Sequence, residues 1–122
     1  MLNVVLITPR FSETGGSAGH YTHALAQVLC RSGIACEVIC SRSQSPCPGH
    51  QESGLMRVHR LSVRKGTHAI GFAAYAARRV HELLLTNGYM PVLCIDSPQC
   101  AVLLRSIHGT SLPTTEIQVE GT

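Results

Sequence analysis

Apolar and polar positions follow two rhythms along this chain. An unbroken apolar run from Asn3 to Thr8, stopped by Pro9, predicts a strand covered on both faces, the first strand and the middle of a parallel sheet. Ala18, Tyr21, Leu25, Val28 and Leu29 then recur at helical spacing, with His20, His23, Gln27 and Arg31 on the opposite face and Gly33 as the stop. Ala35 to Ser41 reads as a second strand, and Arg42 to Ser53 as a polar Ser/Pro/Gly loop. Leu55 to Leu61 alternates apolar and basic residues, which predicts a half-exposed third strand near the sheet edge. A long stripe of Ala69, Phe72, Ala73, Ala76, Val80, Leu83 and Leu84 predicts a helix from His68 to Asn87-Gly88. Pro91 to Asp96 is a fourth, buried strand; Ser97 then caps and Pro98 opens a short helix through Ile107. Thr114 to Val119 is the last strand.

Strands alternating with helices imply an α/β fold with a doubly wound parallel sheet and right-handed crossovers, whose ligands bind beyond the carboxyl ends of the strands. That places the Pro9 to Ser17 loop, Asp96-Ser97 and Glu120-Gly121 on one rim. Gly15, Gly16 and Gly19 between the first strand and its helix let backbone N–H groups approach a ligand at the positive end of the helix dipole, a geometry suited to phosphate.

The run TPRFSETGG (Thr8 to Gly16), followed by Gly16 to Cys40, resembles the opening of family-four glycosyltransferases of the two-domain GT-B type. Their usual order is matched in seven features: the strand, Pro9, Phe11, Gly15-Gly16, the Tyr21/Leu25/Leu29 stripe, Arg31-x-Gly33 and the Glu37-Val38-Ile39 strand. The likeness weakens after residue 60. It implies that residues 1–122 are the Rossmann-like, acceptor-side N-terminal domain of such an enzyme, a truncated product or one part of a split enzyme. In those enzymes a C-terminal domain binds the nucleotide sugar through a Glu-x7-Glu element and basic residues, and this sequence ends before any of that. The partners implied are that donor-binding domain or subunit and a hydroxyl acceptor, with the nucleotide sugar as donor substrate and no cofactor. Carried over by position, Gly15 and Gly16 match the glycine loop at the cleft, with Ser17 where some members have another glycine and Arg10 beside it. Gly121 matches the glycine after the last strand. Histidine commonly precedes that glycine; here Glu120 can only accept hydrogen bonds.

The acidic Asp96 at a strand's carboxyl end is the candidate for a base or sugar ligand, with capping of the next helix as its alternative. Arg10 and Glu13 read first as solvated loop charges. His20 and His23, three residues apart, lack a third ligand, so no metal site is read from them. Cys30, Cys36, Cys40 and Cys94 fall inside apolar patterns where a thiol behaves as a small hydrophobe, no C-x-x-C occurs, and Cys47 is the expected exposed thiol.

Composition changes the picture little. At 122 residues, 44% hydrophobic and 14% charged, the chain allows one domain with a modest core. A dispersed net charge of +3 and five aromatics do not make a nucleic-acid surface. The first apolar run is too short for a membrane span and lacks the basic flank of a signal peptide, so a cytoplasmic location is expected. Two other readings of the fold stay open. One is a fragment of an NAD-type oxidoreductase, for which G-x-G-x-x-G would need glycine at Thr14 and an acidic residue near Cys40-Ser41. The other is a non-catalytic Rossmann-like interaction module.

Overall fold

The opening apolar run forms β1 (Asn3–Ile7), and its alternating side chains serve two cores. The structure, a computed structural model, describes residues 2–9, 11, 16–42, 49–62 and 68–119. After β1 come α1 (Gly16–Arg31), β2 (Ala35–Ser41), β3 (His50–Ser53), β4 (Met56–Leu61), α2 (His68–Asn87), β5 (Val92–Ile95), α3 (Pro98–His108), one 3-10 turn at Gly109–Ser111, and β6 (Thr114–Ile117). The strands make one six-stranded sheet in the order β3-β4-β2-β1-β5-β6. It is parallel except for β3, so the expected Rossmann-like α/β class holds with β1 in the interior.

Period-two alternation divides the core. Val5, Ile7, Ile39, Val92 and Cys94 pack against Phe72, Ala73, Ala76, Val80 and Leu83 of α2 and against Cys100, Ala101 and Leu104 of α3. Val4, Leu6, Cys36, Val38, Cys40 and Val58 face the other way, where Ala26, Leu25 and Leu29 of α1 cover them.

Several expectations shift. The polar loop expected over Arg42 to Ser53 ends early, because His50–Ser53 pairs with β4 and becomes the sheet edge. Gly54 and Leu55 alone connect Ser53 to Met56, with Gly54 at φ +59. A two-residue hairpin loop with positive φ at its first central residue is the type II′ pattern, which glycine satisfies without a Cβ clash. All four β3 residues are exposed and polar, a composition that discourages pairing with another chain. The expected α1 stripe holds at Leu25 and Leu29, which pack on the core, and fails at Tyr21 and Val28. Tyr21 and Val28 lie 39% and 57% exposed, whereas Gly19, Thr22 and Ala26 are buried. Small residues let the helix backbone settle close to the strands, where bulky ones would hold it off. Gly16 and Gly19 therefore lie within the first turn of α1 and not in a loop ahead of it. The helix ends as its sequence predicts: Ile34 N–H donates to the Leu29 carbonyl at 2.9 Å and Gly33 N–H to that of Cys30 at 3.1 Å, with Gly33 at φ +86. Those bonds form a Schellman cap, and Ile34 and Leu29 pack into the same core.

Cys36, Cys40, Cys94 and Cys100 are buried and Cys30 half-buried, and none of the five is in a disulfide. Burial and the neighbouring Cys30 thiol push Cys36 up to about 12. A hydrogen bond to Cys94, reinforced by burial, raises Cys100 as well. Both belong to packing, since the thiolate is the reactive form. Cys47 lies outside the described residues.

Candidate functional site

Parallel strands deliver their carboxyl ends to one rim, and backbone connections there are held by specific bonds. Beyond β1, Thr8 is fully buried and its N–H donates to the Ile39 carbonyl at 3.0 Å, while the Pro9 carbonyl accepts from Ser41 N–H at 3.1 Å. Phe11 packs on the α1-side core, and its ring lies 5.3 Å from that of His23, so the aromatic residue of the loop anchors to the helix it precedes. α1 starts at Gly16 with no acidic residue in its first turn, leaving the positive end of its dipole uncompensated by its own side chains.

At the end of β5 the chain does something unusual. Asp96 has φ +52 and stands alone among the described non-glycine residues in having positive φ. A short acidic side chain tolerates this region when it bonds locally. Asp96 N–H continues the ladder to the Ile117 carbonyl at 2.8 Å, and its Oδ1 accepts from Val119 N–H at 2.7 Å. The carboxylate thus spans the ends of β5 and β6. This explains why β6 stops at Ile117 and not at Val119, since the Val119 amide bonds to a side chain in place of a strand. Strain of this kind marks functional positions when the surroundings enforce it.

Ser97 does not cap α3 as expected. It occupies the cap position at φ −133 without a side-chain cap bond; its hydroxyl donates back to the Ile95 carbonyl at 3.2 Å. Asp96 does not cap the helix either, so its capping alternative is set aside. The structure therefore places Asp96 at the rim beside the β6 end and opens α1 with Gly16 and Ser17. Arg10, Gly15, Glu120 and Gly121 lie outside the described residues. The dinucleotide reading finds no acidic residue where β2 ends at Cys40-Ser41.

A second polar cluster was not anticipated. Glu37 and His59 are buried at 5% exposure each, on the α2 side of β2 and β4. The His59 Nε2 to Glu37 Oε2 separation is 2.9 Å, and Arg57 Nη1 donates to Glu37 Oε1 at 3.3 Å. Arg57 also reaches Glu52 of β3 at 3.7 Å, and the His50 ring sits 5.0 Å from that of His59. The other ring nitrogen of His59, Nδ1, is buried without a protein partner. Its sequence signal was a cross-strand one: a lone acid inside ACEVICS and a histidine at the inward register of MRVHRL. The cluster lies across β1 from Asp96 and ties the outer strands to the sheet. Among the described residues no three His, Cys, Asp or Glu side chains converge as a metal ion would require. No described helix is long and apolar enough to cross a membrane.

No protein-family model and no curated protein matches this sequence. In structure the chain is similar to sucrose-phosphate synthase from Thermosynechococcus elongatus, with a TM-score of 0.72 at 12% identity. The likeness covers 97% of this chain and 32% of that one, so the chain spans about a third of that enzyme's length. At this identity the likeness is one of fold.

Proposed function

We propose that this chain is the acceptor-side domain of a GT-B glycosyltransferase of the family-four type, whose complete form moves a sugar from a nucleotide sugar to a hydroxyl acceptor. One coincidence carries the reading. The motif order of Thr8 to Cys40 resembles that family's opening, and the backbone follows about a third of a sucrose-phosphate synthase over 97% of this chain's own length. At 12% identity that likeness is one of backbone path.

In this reading the first turn of α1 meets phosphate oxygens with its unpaired N–H groups, and Gly15 and Gly16 keep Cβ atoms out of the approach. Arg10 and Ser17 flank that loop. Asp96, already fixed by its bond to Val119, offers a carboxylate at the rim to an acceptor hydroxyl, where it would orient the nucleophile or take its proton. By sequence position Glu120 and Gly121 are assigned to the same rim in this reading. Stabilisation of the departing diphosphate falls to a donor-binding domain or subunit outside these residues.

A single wall of a cleft cannot hold two substrates in attack geometry, which forfeits roughly 7–11 kcal/mol of effective-concentration advantage. The test incubates the purified chain with labelled nucleotide sugars and hydroxyl acceptors, alone and then with the polypeptide encoded next to it. Transfer only in the presence of the second component is expected. Robust transfer by the chain alone, or none with a folded second Rossmann-like domain present, overturns the proposal.

A further inference from the structure

Two large apolar side chains stand in water on neighbouring helices: Ile70 of α2 is 77% exposed and Val102 of α3 60%. Between them runs an open groove of ≈590 Å³, with Ala73 and Leu103 also among its lining residues and Pro98 at one end. On its α2 side the groove is lined by Ala73 and Ala74 beside Ile70. None of the residues lining it is charged. Its polar contributors are Gln99 and Ser106, and the Ser106 hydroxyl already donates to the Val102 carbonyl at 2.9 Å. A sugar or phosphate would find almost nothing to bond, whereas a hydrocarbon would lose only water.

Size separates a small ligand from a macromolecule. Eight residues line the groove, whereas a stable protein interface takes ~20–30 a side. The volume falls in the ~300–1,000 Å³ range of small-molecule pockets. Shape and position then narrow the class. From Pro98 to Ser106 the α3 axis rises ~12 Å, which limits the length of the groove along that helix. Both helices run back from the carboxyl rim, and Pro98 follows Asp96-Ser97 directly.

From these observations the geometry points to an amphiphilic acceptor, an alkyl chain bearing a hydroxylated head, with the chain lying in the α2–α3 groove and the head delivered to the rim beside Asp96. This rests on the acceptor-side reading for its biological meaning, but the binding itself needs no donor.

The test titrates the purified chain with hexyl, octyl, decyl, dodecyl and tetradecyl β-glucosides, each below its micellar concentration, following the methyl resonances of Ile70, Val102 and Leu103. Affinity should tighten about two- to fourfold per methylene and level off once the chain outgrows the groove. Val102→Asp, at an exposed position that folding does not depend on, should weaken binding at least tenfold. Val28→Asp on the outer face of α1, also exposed, should leave it unchanged. Affinity independent of chain length, affinity that climbs without levelling, or equal binding by the Val102→Asp variant would each overturn the proposal. So would concentration-dependent self-association abolished by Val102→Asp without alkyl binding, since the occupant would then be a second copy. Alkyl binding together with failed sugar transfer would instead retire the acceptor reading and leave the groove standing.

Discussion

Replacing Glu37 by leucine removes the acceptor for two donors at once, His59 at 2.9 Å and Arg57 at 3.3 Å. His59 is then buried with neither ring nitrogen bonded to protein, because Nδ1 already lacks a partner. Breaking a buried pair by removing one member costs ~3–5 kcal/mol. Arg57 adds little, since its side chain is 52% exposed and keeps Glu52 at 3.7 Å; such half-solvated pairs contribute ~0.2–1 kcal/mol. His59→Leu leaves Glu37 buried with Arg57 alone and should cost about as much, at the lower end of that range. The double replacement closes the site with hydrocarbon and should lie within ~1 kcal/mol of the natural chain. Urea unfolding reads these differences directly. With a slope of ~1–3 kcal/mol per molar urea, each single variant should lose ~1–5 M in midpoint while the double variant recovers most of it. A chain of 122 residues holds ~6–18 kcal/mol in total at the usual per-residue stability, so the single variants remain folded in water. If the two single losses simply add in the double variant, the residues act independently and the buried-pair argument is wrong.

Three further outcomes follow from particular bonds and dihedrals. The Cys36 thiol, raised from its ordinary 9.0 to about 12, stays protonated in the fold while the unfolded chain ionises above about pH 9. Its stabilisation is therefore complete below pH 9 and is lost as pH rises towards 12, by at most ~1.4 kcal/mol per pH unit; urea midpoints from pH 8 to 10.5 should fall less steeply in Cys36→Ala, and identical slopes would refute the assignment. Gly33→Ala should cost ~1–2 kcal/mol from backbone strain alone, since nothing lies within 4 Å of the added Cβ at φ +86; a neutral result by thermal unfolding would deny the left-handed cap. Asp96→Ala should lose ~2–4 kcal/mol through the missing Val119 bond and the left-handed φ together and unprotect the Val119 amide to hydrogen exchange, whereas Asp96→Asn, which keeps an acceptor oxygen, should preserve that protection.

What was legible in the sequence was whatever periodicity alone determines. The unbroken run at Asn3 to Ile7, the stripe from Phe72 to Leu83 and the stop at Gly33 each follow from a repeat or a backbone requirement confined to one segment, and each is where it was expected. The buried face of α1 was only partly legible, because hydrophobicity favours Tyr21 and Val28 while close approach to the sheet favours Gly19, Thr22 and Ala26. Helix-to-sheet distance is a property of two elements, and no single stretch encodes it. The β3 edge strand was missed for a related reason: HQES has no apolar alternation, and its pairing comes from the Gly54 turn and from β4 beside it. The same holds for Glu37 and His59, twenty-two residues apart in sequence and joined only by register.

The candidate rim divides along the same line. Asp96 stands out in the sequence because ligands of parallel sheets bind beyond the carboxyl ends of strands, but its conformation and its bond across to Val119 depend on β6 lying beside β5. That bond changes what the carboxylate can do. An aspartate free to rotate would be a poor positioning group, since each acceptor would have to order it anew; one oxygen held at 2.7 Å by a backbone N–H sets the plane of the carboxylate before any ligand arrives. On the proposed acceptor-side reading, the strain at φ +52 is the cost of holding a preorganised acceptor at the strand end. Two strands away, on the other side of β1, the Glu37–His59 pair holds the outer part of the sheet in register, so the rim is built on strands whose order is secured from both flanks.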